Sequence, residues 1–453
     1  MSTTLVRERL AARSIGARYS TFVGLGTVLT LLGLILFLVY LGGADADRAW
    51  QLFHVNWVYF TGITAGSFAL VAVQKVTHAK WSGVIIRFAE AAPFFFFPVT
   101  VVGFLLIFTV GYHHIFPEME GLSPGKTLWL SHWFMFGRLA VGLSLLLWLG
   151  YRLVREDLVP DLHEVLPLVD GGRRRLYQAW TTGFDPSEQG RARHEAAIAR
   201  IAPAYVVTYA VVATMVAFDC MMALQPHWFS NLFGGWYFMG SFLGAHTLLA
   251  LLMLHGRHEL GIVEFVSPKQ RHDLGKLVFG FSVFWAYLMW SQFLVIWYGN
   301  LPEETGFMFA RLWGPWRPIG SWVFLGLFVI PFIGLLGVAP KKLPFTLGLF
   351  TAISLVTLWL ERYLMVMPSV THQPGPVFGL PELGPTALFL GLFLLLYGLF
   401  ARTFPMISPR LAEITLDRER GHSLPDVGGS FDHDETDRDF VSPSDLERRH
   451  HPR

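Results

Sequence analysis

Ionisable side chains occur inside several of the longest apolar stretches of this sequence. Glu90 stands at the start of one such stretch, and Pro93 and Pro98 follow it closely. Each proline removes a backbone donor, so the carbonyls one turn earlier need other partners or must line a water-filled cavity. A carboxylate beside interrupted backbone at membrane depth indicates a functional site. The alternative is an interfacial glutamate that extends to the lipid headgroups, with prolines that only bend a packed helix.

A second group of polar residues is predicted on two other apolar stretches. Tyr205, Tyr209 and Asp219 have separations of 4 and 10 residues, which place them near one helical face. Arg138, on a separate stretch, stays charged and therefore needs an anionic or carbonyl partner. Asp219 is its nearest candidate in depth, and His132 lies beside Arg138. The alternative interpretation is a clamp that only holds two neighbouring helices together.

Hydroxyl groups and a carboxylate form a stripe on a further stretch. Thr351, Ser354, Thr357 and Glu361 follow one another at helical spacing, and Gln292 belongs to a similar set elsewhere. Such hydroxyls commonly bond their own backbone or allow close helix packing, which is the alternative to a proton path. Several polar stripes, together with acids on both sides of the membrane, favour two hydrated half-channels.

The half-channel hypothesis divides the candidate residues between the two faces of the membrane. A carboxylate in a low-dielectric site can shift its pKa toward the working pH, which suits proton relay. We assign to the cytoplasmic half-channel Glu90, Tyr205 and Tyr209. We assign to the periplasmic half-channel Asp219, Arg138 and His132.

Composition indicates the elements that must position these residues. Of the 453 residues, 53% are hydrophobic and only 15% are charged, whereas soluble proteins carry about a quarter charged residues. The chain is therefore predicted to be an all-α integral membrane protein with no nucleic-acid partner. Apolar runs long enough to cross a bilayer predict ten transmembrane helices. We number them as spans one to ten, at 19–41, 54–76, 90–112, 128–150, 199–224, 236–255, 277–298, 321–338, 345–366 and 386–404.

Basic residues predict the orientation of the chain. Lys and Arg are concentrated in the N-terminal segment 1–18, in segment 151–197 and in the tail 405–453. Under the positive-inside rule these segments, and with them both termini, are cytoplasmic. They flank or interrupt a membrane domain that covers 19–404. The polar tail lacks apolar periodicity and is predicted to be disordered on its own, and a partner could hold it.

Cysteine and histidine usage argues against a redox centre in this chain. The single cysteine, Cys220, excludes a disulfide framework and a cysteine-ligated iron–sulfur cluster. No Cys-x-x-Cys-His motif is present for covalent haem. A b-type haem needs two imidazoles at equal depth, and His246 is the only histidine that we place at mid-membrane. We predict no haem, no metal and no catalytic residue, so the chain cannot carry electrons unaided.

Three motifs carry a resemblance to a known family. They are Arg87-x-x-Glu90, the segment from Asp219 to Gly234, and the segment from Trp297 to Glu304. With them the chain resembles the polysulfide-reductase-type (NrfD-like) membrane subunits, and most closely the F-type subunit of bacterial alternative complex III. The similarity covers roughly 20–404, and the two connector segments are its specific part.

The resemblance implies a fold, a setting and a set of partners. Spans two to five and spans six to nine would form two four-helix bundles, with the two remaining helices peripheral. The complex would be a quinol:cytochrome c, or quinol:high-potential iron–sulfur protein, oxidoreductase of the bacterial cytoplasmic membrane. Its partner subunits would be a multihaem cytochrome c, an iron–sulfur subunit and a related NrfD-like subunit. They would hold haem c and the iron–sulfur clusters, and the quinone would be menaquinone or ubiquinone.

These arguments lead to one favoured function and two alternatives. We expect a membrane subunit without a redox centre that contributes proton half-channels or energy coupling to the complex. The first alternative is a quinol-binding subunit with a periplasmic-side site formed by His132, Asp219 and Gln292. The second is a secondary transporter with its site at the broken helix.

Overall fold

The computed structural model describes residues 3–16, 18–118, 121–371 and 373–419. These residues form helices and connecting turns, without a β-strand among them. Ten of the helices are long and apolar enough to cross a membrane, as predicted. In chain order, spans one to ten are Ser20–Leu41, Ala46–Val76, Ile86–Ile115, His132–Leu168, Glu188–Leu224, Leu232–Glu259, Pro268–Gly299, Gly314–Gly334, Pro344–Val370 and Leu380–Thr403.

Apart from span one, the helices are longer than the apolar runs that predicted them. Span two begins at Ala46, and span four continues to Leu168, well past the predicted end at 150. Span five likewise begins at Glu188, so the two helices together occupy much of segment 151–197. Hydropathy alone ended span four too early, because acids that follow residue 150 are buried in ion pairs and not exposed to water.

Span two is the most enclosed of the ten helices. The whole of its apolar stretch is buried by its neighbours. Spans two and six cross where Gly62 and Gly66 face Ser241, and a Cβ at position 66 would lie 2.7 Å from the Ser241 carbonyl oxygen. Small residues that let two backbones approach are the usual contact between membrane helices. Span two therefore forms the centre against which the other helices pack.

Spans one and ten form a separate close pair. Gly26 and Gly33 of span one face the backbone of span ten, and a Cβ at position 26 would lie 2.5 Å from the Leu395 amide nitrogen. Gly384 and Gly391 of span ten face span one in the same manner. Glycines seven residues apart on both helices therefore allow the two backbones to touch along their length.

The outward surface of the helices is apolar. Valine and isoleucine side chains on several spans are more than half exposed, as expected of side chains that contact lipid tails. Examples are Val28, Val141, Val207, Val295, Ile333 and Val356. Length, composition and this surface together identify a membrane-embedded chain.

The N-terminal and C-terminal helices lie on the same side of the molecule. Helix Thr3–Ser14 packs against helix Pro409–Glu419, and the Arg7 guanidinium contacts Glu413 at 3.2 Å and Glu164 at 2.7 Å. We call this side the terminal face and the other side the opposite face. The prediction of a disordered tail is wrong for this helix, and its remainder, 420–453, lies outside the described residues.

The opposite face carries short helices between the spans. They are Pro124–Trp129 and Pro302–Leu312. From the second of these, Arg311 donates to the Met365 carbonyl at 2.7 Å and to the Ser369 hydroxyl at 2.5 Å. A cation is favourable at the C-terminal end of a helix, so Arg311 fixes the end of span nine.

Candidate functional site

A buried ion cluster joins spans three and four near the terminal face. Arg87 and Glu90 lie one helical turn apart on span three and form an ion pair. The same guanidinium donates to Asp161 of span four at 2.5 Å, and its Nη2 lies 3.4 Å from Asp157 Oδ2. All four side chains are at most 1% exposed. One cation therefore serves three carboxylates away from water.

Two further elements reach the same cluster. Lys75, near the end of span two, donates to Asp157 Oδ1 at 2.5 Å. The Ser408 hydroxyl, just before helix Pro409–Glu419, donates to Asp161 Oδ1 at 2.9 Å. Burying a charge is costly unless it is paired and hydrogen-bonded. These contacts explain how so many ionised groups remain within the helix bundle.

The interruption of span three lies directly beyond Glu90. Helix Ile86–Phe94 ends, a short turn follows at 95–96, and a second helix begins at Phe97 with Pro98 near its start. Pro93 and Pro98 cannot donate to the carbonyls one turn earlier, which accounts for the break. The prediction of broken backbone beside Glu90 is confirmed. The first short helix, Ile86–Phe94, thus carries both Arg87 and Glu90 on the terminal-face side of the interruption.

A cavity of about 300 Å³ opens beside this cluster. Gln74, Lys75, Asp157 and Arg410 contribute polar groups to its wall, and Ile86 is among the apolar residues. The Gln74 side chain is buried and neither its amide nitrogen nor its amide oxygen has a hydrogen-bond partner. The cavity is large enough for several water molecules, which need polar partners of this kind.

Unpartnered oxygens continue from the cavity into the cluster. Asp157 Oδ2 and Glu90 Oε1 are buried and accept no hydrogen bond. A buried acceptor left without a partner costs about 1–3 kcal/mol, so ordered water or a proton is expected there. This arrangement can accept a proton from the cavity and pass it between carboxylates.

The two tyrosines assigned with Glu90 to the cytoplasmic half-channel bond backbone carbonyls and not Glu90, so their role in a proton path stays a prediction. Tyr205 donates its hydroxyl to the Ala65 carbonyl of span two at 3.0 Å. Tyr209 donates to the Phe238 carbonyl of span six at 2.8 Å. Both tyrosines thereby tie span five to its neighbours, since a buried tyrosine hydroxyl usually finds a hydrogen-bond partner. The partners of Glu90 are instead Arg87 and, around it, Asp157 and Asp161.

Towards the opposite face, the structure pairs Arg138 with Asp219. Arg138 Nε lies 2.7 Å from Asp219 Oδ2, and Nη2 lies 2.5 Å from Oδ1. The third nitrogen, Nη1, donates to the Trp129 carbonyl at 2.7 Å, and the guanidinium lies over the Trp129 ring. Asp219 is in the last turn of the helix that ends at Cys220, where a carboxylate is unfavourable without a cation.

His132 and Gln292 do not join Asp219. His132 Nε2 lies 2.6 Å from the Phe108 carbonyl, and its ring stacks on Tyr112 with centroids 3.9 Å apart. Gln292 accepts from the Ser230 hydroxyl at 2.7 Å. The hydrogen bonds of these three residues therefore go to three different groups and do not join them to one another, and the quinol site stays a prediction.

His54 is a buried residue that the sequence arguments missed. It is fully buried on span two, and its Nε2 lies 2.6 Å from the Cys220 carbonyl, one residue after Asp219. Its Nδ1 has no partner. The prediction that His246 is the only histidine at mid-membrane stays a prediction, since His54 lies in the first half of span two, beside the end of span five. The full extent of span two shows that His54 is buried, and no local sequence motif indicates it.

The polar stripe on span nine divides into two parts. Thr351 and Ser354 donate to carbonyls of their own helix at 2.7 and 3.0 Å, which is the structural alternative considered above. Thr357 fits against Gly326 of span eight. Glu361 is fully buried, and its Oε2 lies 2.7 Å from Arg362 Nη1 without a hydrogen bond. Only Glu361 in this stripe has the environment of a protonatable site.

Arg362 links the Glu361 site to span six. Its Nη2 lies 3.2 Å from the Tyr237 carbonyl and 3.3 Å from the Ser241 hydroxyl, and the guanidinium lies over the Tyr237 ring. The Tyr237 hydroxyl donates to the Val58 carbonyl of span two at 2.8 Å. This second ion pair therefore sits where spans two, six and nine meet.

Within the described part of the chain, no three His, Cys, Asp or Glu side chains are arranged to hold a metal ion. The absence of a cofactor in this chain stays a prediction. A comparison of the chain with protein-family models and with curated proteins finds no match.

Proposed function

We propose that this chain is a proton-conducting, energy-coupling subunit of a membrane quinol oxidoreductase complex. The observation that carries the proposal is the group of three buried carboxylates, Glu90, Asp157 and Asp161, beside a cavity at the terminal face. Buried ionisable groups within a membrane are expensive and mark ion or proton pathways. Nothing about packing alone requires three acids at this position.

The proposed half-channel begins in the cavity and ends at span three. A proton from cavity water would reach Asp157 Oδ2 first and then Glu90 Oε1, the two unpartnered acceptors. Arg87 would stay charged throughout, so it holds the acids in place and supplies a fixed positive charge. The turn at 95–96 would let Glu90 shift when the charge of the cluster changes.

A second half-channel would serve the opposite face. Asp219, held by Arg138, and the neighbouring His54 are the ionisable groups there. The Glu361–Arg362 pair lies where spans two, six and nine meet. Between the faces, Tyr205 and Tyr209 donate to backbone carbonyls, so transfer across the whole membrane would require a conformational change.

Helix packing supports the predicted division into two bundles. Span two packs on spans three and five, and span four packs on span five. Span six packs on spans seven and nine, and span eight packs on the same two. We propose that these are the two four-helix bundles, joined through spans two and six, with spans one and ten at the side.

The assignment to a complex rests on the family resemblance of the two connector segments. We propose that the terminal face is cytoplasmic in the bacterial inner membrane and that the opposite face contacts haem- and iron–sulfur-containing subunits. The quinol-site alternative has less support, because His132, Asp219 and Gln292 bind three different groups. A transporter would purify alone, whereas a subunit would purify with haem proteins.

The test uses Glu90→Gln in the whole complex, reconstituted into vesicles. The amide keeps the shape of the side chain but cannot carry a proton. We expect quinol oxidation to proceed while coupled proton transfer falls about 100-fold, the scale of a lost proton-transfer group. Glu303→Gln, an exposed acid on the opposite face, is the matched control. Unchanged proton translocation in the Glu90→Gln complex would exclude the proposed relay.

A further inference from the structure

The segment 405–415 crosses the buried ion cluster from outside the membrane spans. The backbone amide of Met406 donates to the Ser14 carbonyl at 3.0 Å, and the Thr415 hydroxyl donates to the Lys80 carbonyl at 2.9 Å. Between these two attachments, the Ser408 hydroxyl reaches Asp161. Gly83 leaves room for the Leu411 carbonyl, which a Cβ at position 83 would strike. The segment is therefore closely fitted over the cluster.

Arg410, in the first turn of this C-terminal helix, faces the cluster and the cavity. Its Nη2 lies 3.9 Å from Asp157 Oδ1, and its Nη1 donates to Glu195 of span five at 3.3 Å. Arg410 Nε has no partner. The side chain is 25% exposed, so it lies at the boundary between the cavity and the buried acids.

The charges of the cluster balance only when Arg410 is counted. The spans contribute three carboxylates, Glu90, Asp157 and Asp161, but only two cations, Arg87 and Lys75. Arg410 supplies the third positive charge. Around this set, Glu195 accepts from Arg410, and Arg7 of the N-terminal helix is shared by Glu164 and Glu413. Glu195 is 65% exposed, so water solvates its charge, and Arg7 is paired with Glu164 and Glu413 and therefore does not replace Arg410.

We propose that Arg410 is a positioning residue that sets the number of protons on the buried carboxylates. With the C-terminal helix in place, three cations face three carboxylates, and the charge of Arg410 favours the ionised form of the acids. When the helix moves away, one negative charge is left without a partner in a low-dielectric site. A buried unpaired charge is neutralised rather than kept, so one carboxylate takes a proton from the water of the cavity. The C-terminal helix thereby controls the charge of the site.

Aromatic contacts connect the C-terminal segment to the interruption of span three. Phe404, which precedes the segment, contacts Phe94 and Phe95 with ring centroids 5.7 and 6.1 Å apart. Those two phenylalanines lie at the interruption of span three. A shift of the C-terminal segment would therefore also move the short helix that carries Arg87 and Glu90.

The inference rests on the site of the proposed function, but its test does not depend on proton translocation. Infrared difference spectra of the purified complex report the carbonyl stretch of protonated carboxylic acids. We expect Arg410→Gln to gain one such band relative to the natural protein at neutral pH. Arg410→Lys, which keeps the charge, should show no gain. Adding Glu90→Gln, Asp157→Asn or Asp161→Asn to Arg410→Gln should remove the new band in the variant that lacks the protonated acid.

Two further variants distinguish the effect of the lost charge from an effect on the structure. Arg410→Met keeps the apolar stem and should give the same new band, which covers the case in which Arg410→Gln does not assemble. Thr415→Val removes the bond of the same helix to the Lys80 carbonyl without touching a carboxylate or changing charge, and it should leave the spectrum unchanged. Absence of a new band in an assembled Arg410→Met complex would overturn the inference. The proposed proton-conducting function is tested by proton translocation in Glu90→Gln, whereas the role of Arg410 is tested by the infrared band. Failure of one test therefore does not imply failure of the other.

Discussion

Arg87 bonds the carboxylates of Glu90 and Asp161 from a position without any exposed surface. A planar guanidinium has five donors in a rigid fork, so it can hold several acids in a fixed arrangement, whereas a lysine offers three donors on a compact ammonium group. Its Nε nevertheless has no hydrogen-bond partner. The residue is therefore the fixed charge around which the protonatable groups are arranged.

Replacing Arg87 by Met should leave two carboxylates buried without their main partner. Removing one partner of a buried ion pair typically costs about 3–5 kcal/mol. We expect a comparable fall in the free energy of unfolding, and Arg87→Lys should lose less because it keeps the charge. Thermal unfolding of the purified complex would measure this. Arg175→Met, an exposed arginine at the terminal face, is the control and should have little effect. Equal losses in both variants would contradict the argument.

The Arg138–Asp219 pair can be examined by a double-mutant cycle. Two bonds of 2.5 and 2.7 Å join the side chains, and Asp219 is fully buried. Residues in direct contact show coupling energies of about 0.5–3 kcal/mol. We expect Arg138→Met and Asp219→Asn each to destabilise the protein, and the double variant to lose less than the sum. Additive losses in the unfolding free energy would mean that the pair is energetically uncoupled.

Sequence patterns at the residue scale locate an acid but not its partners. Glu90 is conspicuous because it interrupts an apolar run, and Arg138 and Asp219 are conspicuous for the same reason. Asp157 and Asp161 escaped notice because they follow the apolar part of span four, in a stretch that is polar by composition. Their burial depends on Lys75, Ser408 and the C-terminal helix, which come together only in the fold.

At the scale of elements, the glycines of spans one and ten set the distance between the two helices. Gly33 faces the backbone at Leu388, and Gly391 faces the backbone at Thr30. No side chain fits between backbones at that separation, so the contact is specified by the absence of Cβ atoms.

Gly33→Val should force spans one and ten apart. Overpacking a well-filled contact costs about 1–3 kcal/mol, and a clash with backbone is at the upper end because backbone cannot rotate away. We expect a lower unfolding temperature of the complex. Gly24→Val on the same helix is a matched control, since a Cβ there meets nothing within 4 Å. A similar loss in both variants would show that helix propensity, and not contact, is responsible.

Sequence reasoning predicted the existence of the ten spans better than their ends. An apolar run of sufficient length is a strong signal by itself. Helix ends beyond the apolar part depend on tertiary contacts, as in span four, where buried ion pairs support the helix past residue 150. The helix Pro409–Glu419 likewise depends on tertiary contacts, because it packs on helix Thr3–Ser14 and on the ion cluster.

At the scale of the whole molecule, the proposed orientation in the membrane rests on the distribution of charge and can be tested directly. The single native cysteine, Cys220, is buried and should react poorly with external reagents. We expect a membrane-impermeant maleimide to label Glu303→Cys in cells whose outer membrane has been opened. Arg175→Cys should be labelled only after the inner membrane is lysed. The reverse pattern would invert the assignment of the two faces.

The enclosure of span two has a consequence for how the chain is made. Span two has the lowest hydropathy of the ten and carries His54 and Asn56, yet its apolar stretch has no surface left for lipid. It leaves the ribosome long before span six, whose Ser241 covers Gly62 and Gly66. A helix of this kind partitions poorly into bare bilayer. We expect the insertion machinery or a chaperone to shelter it until the second half of the chain has been synthesised.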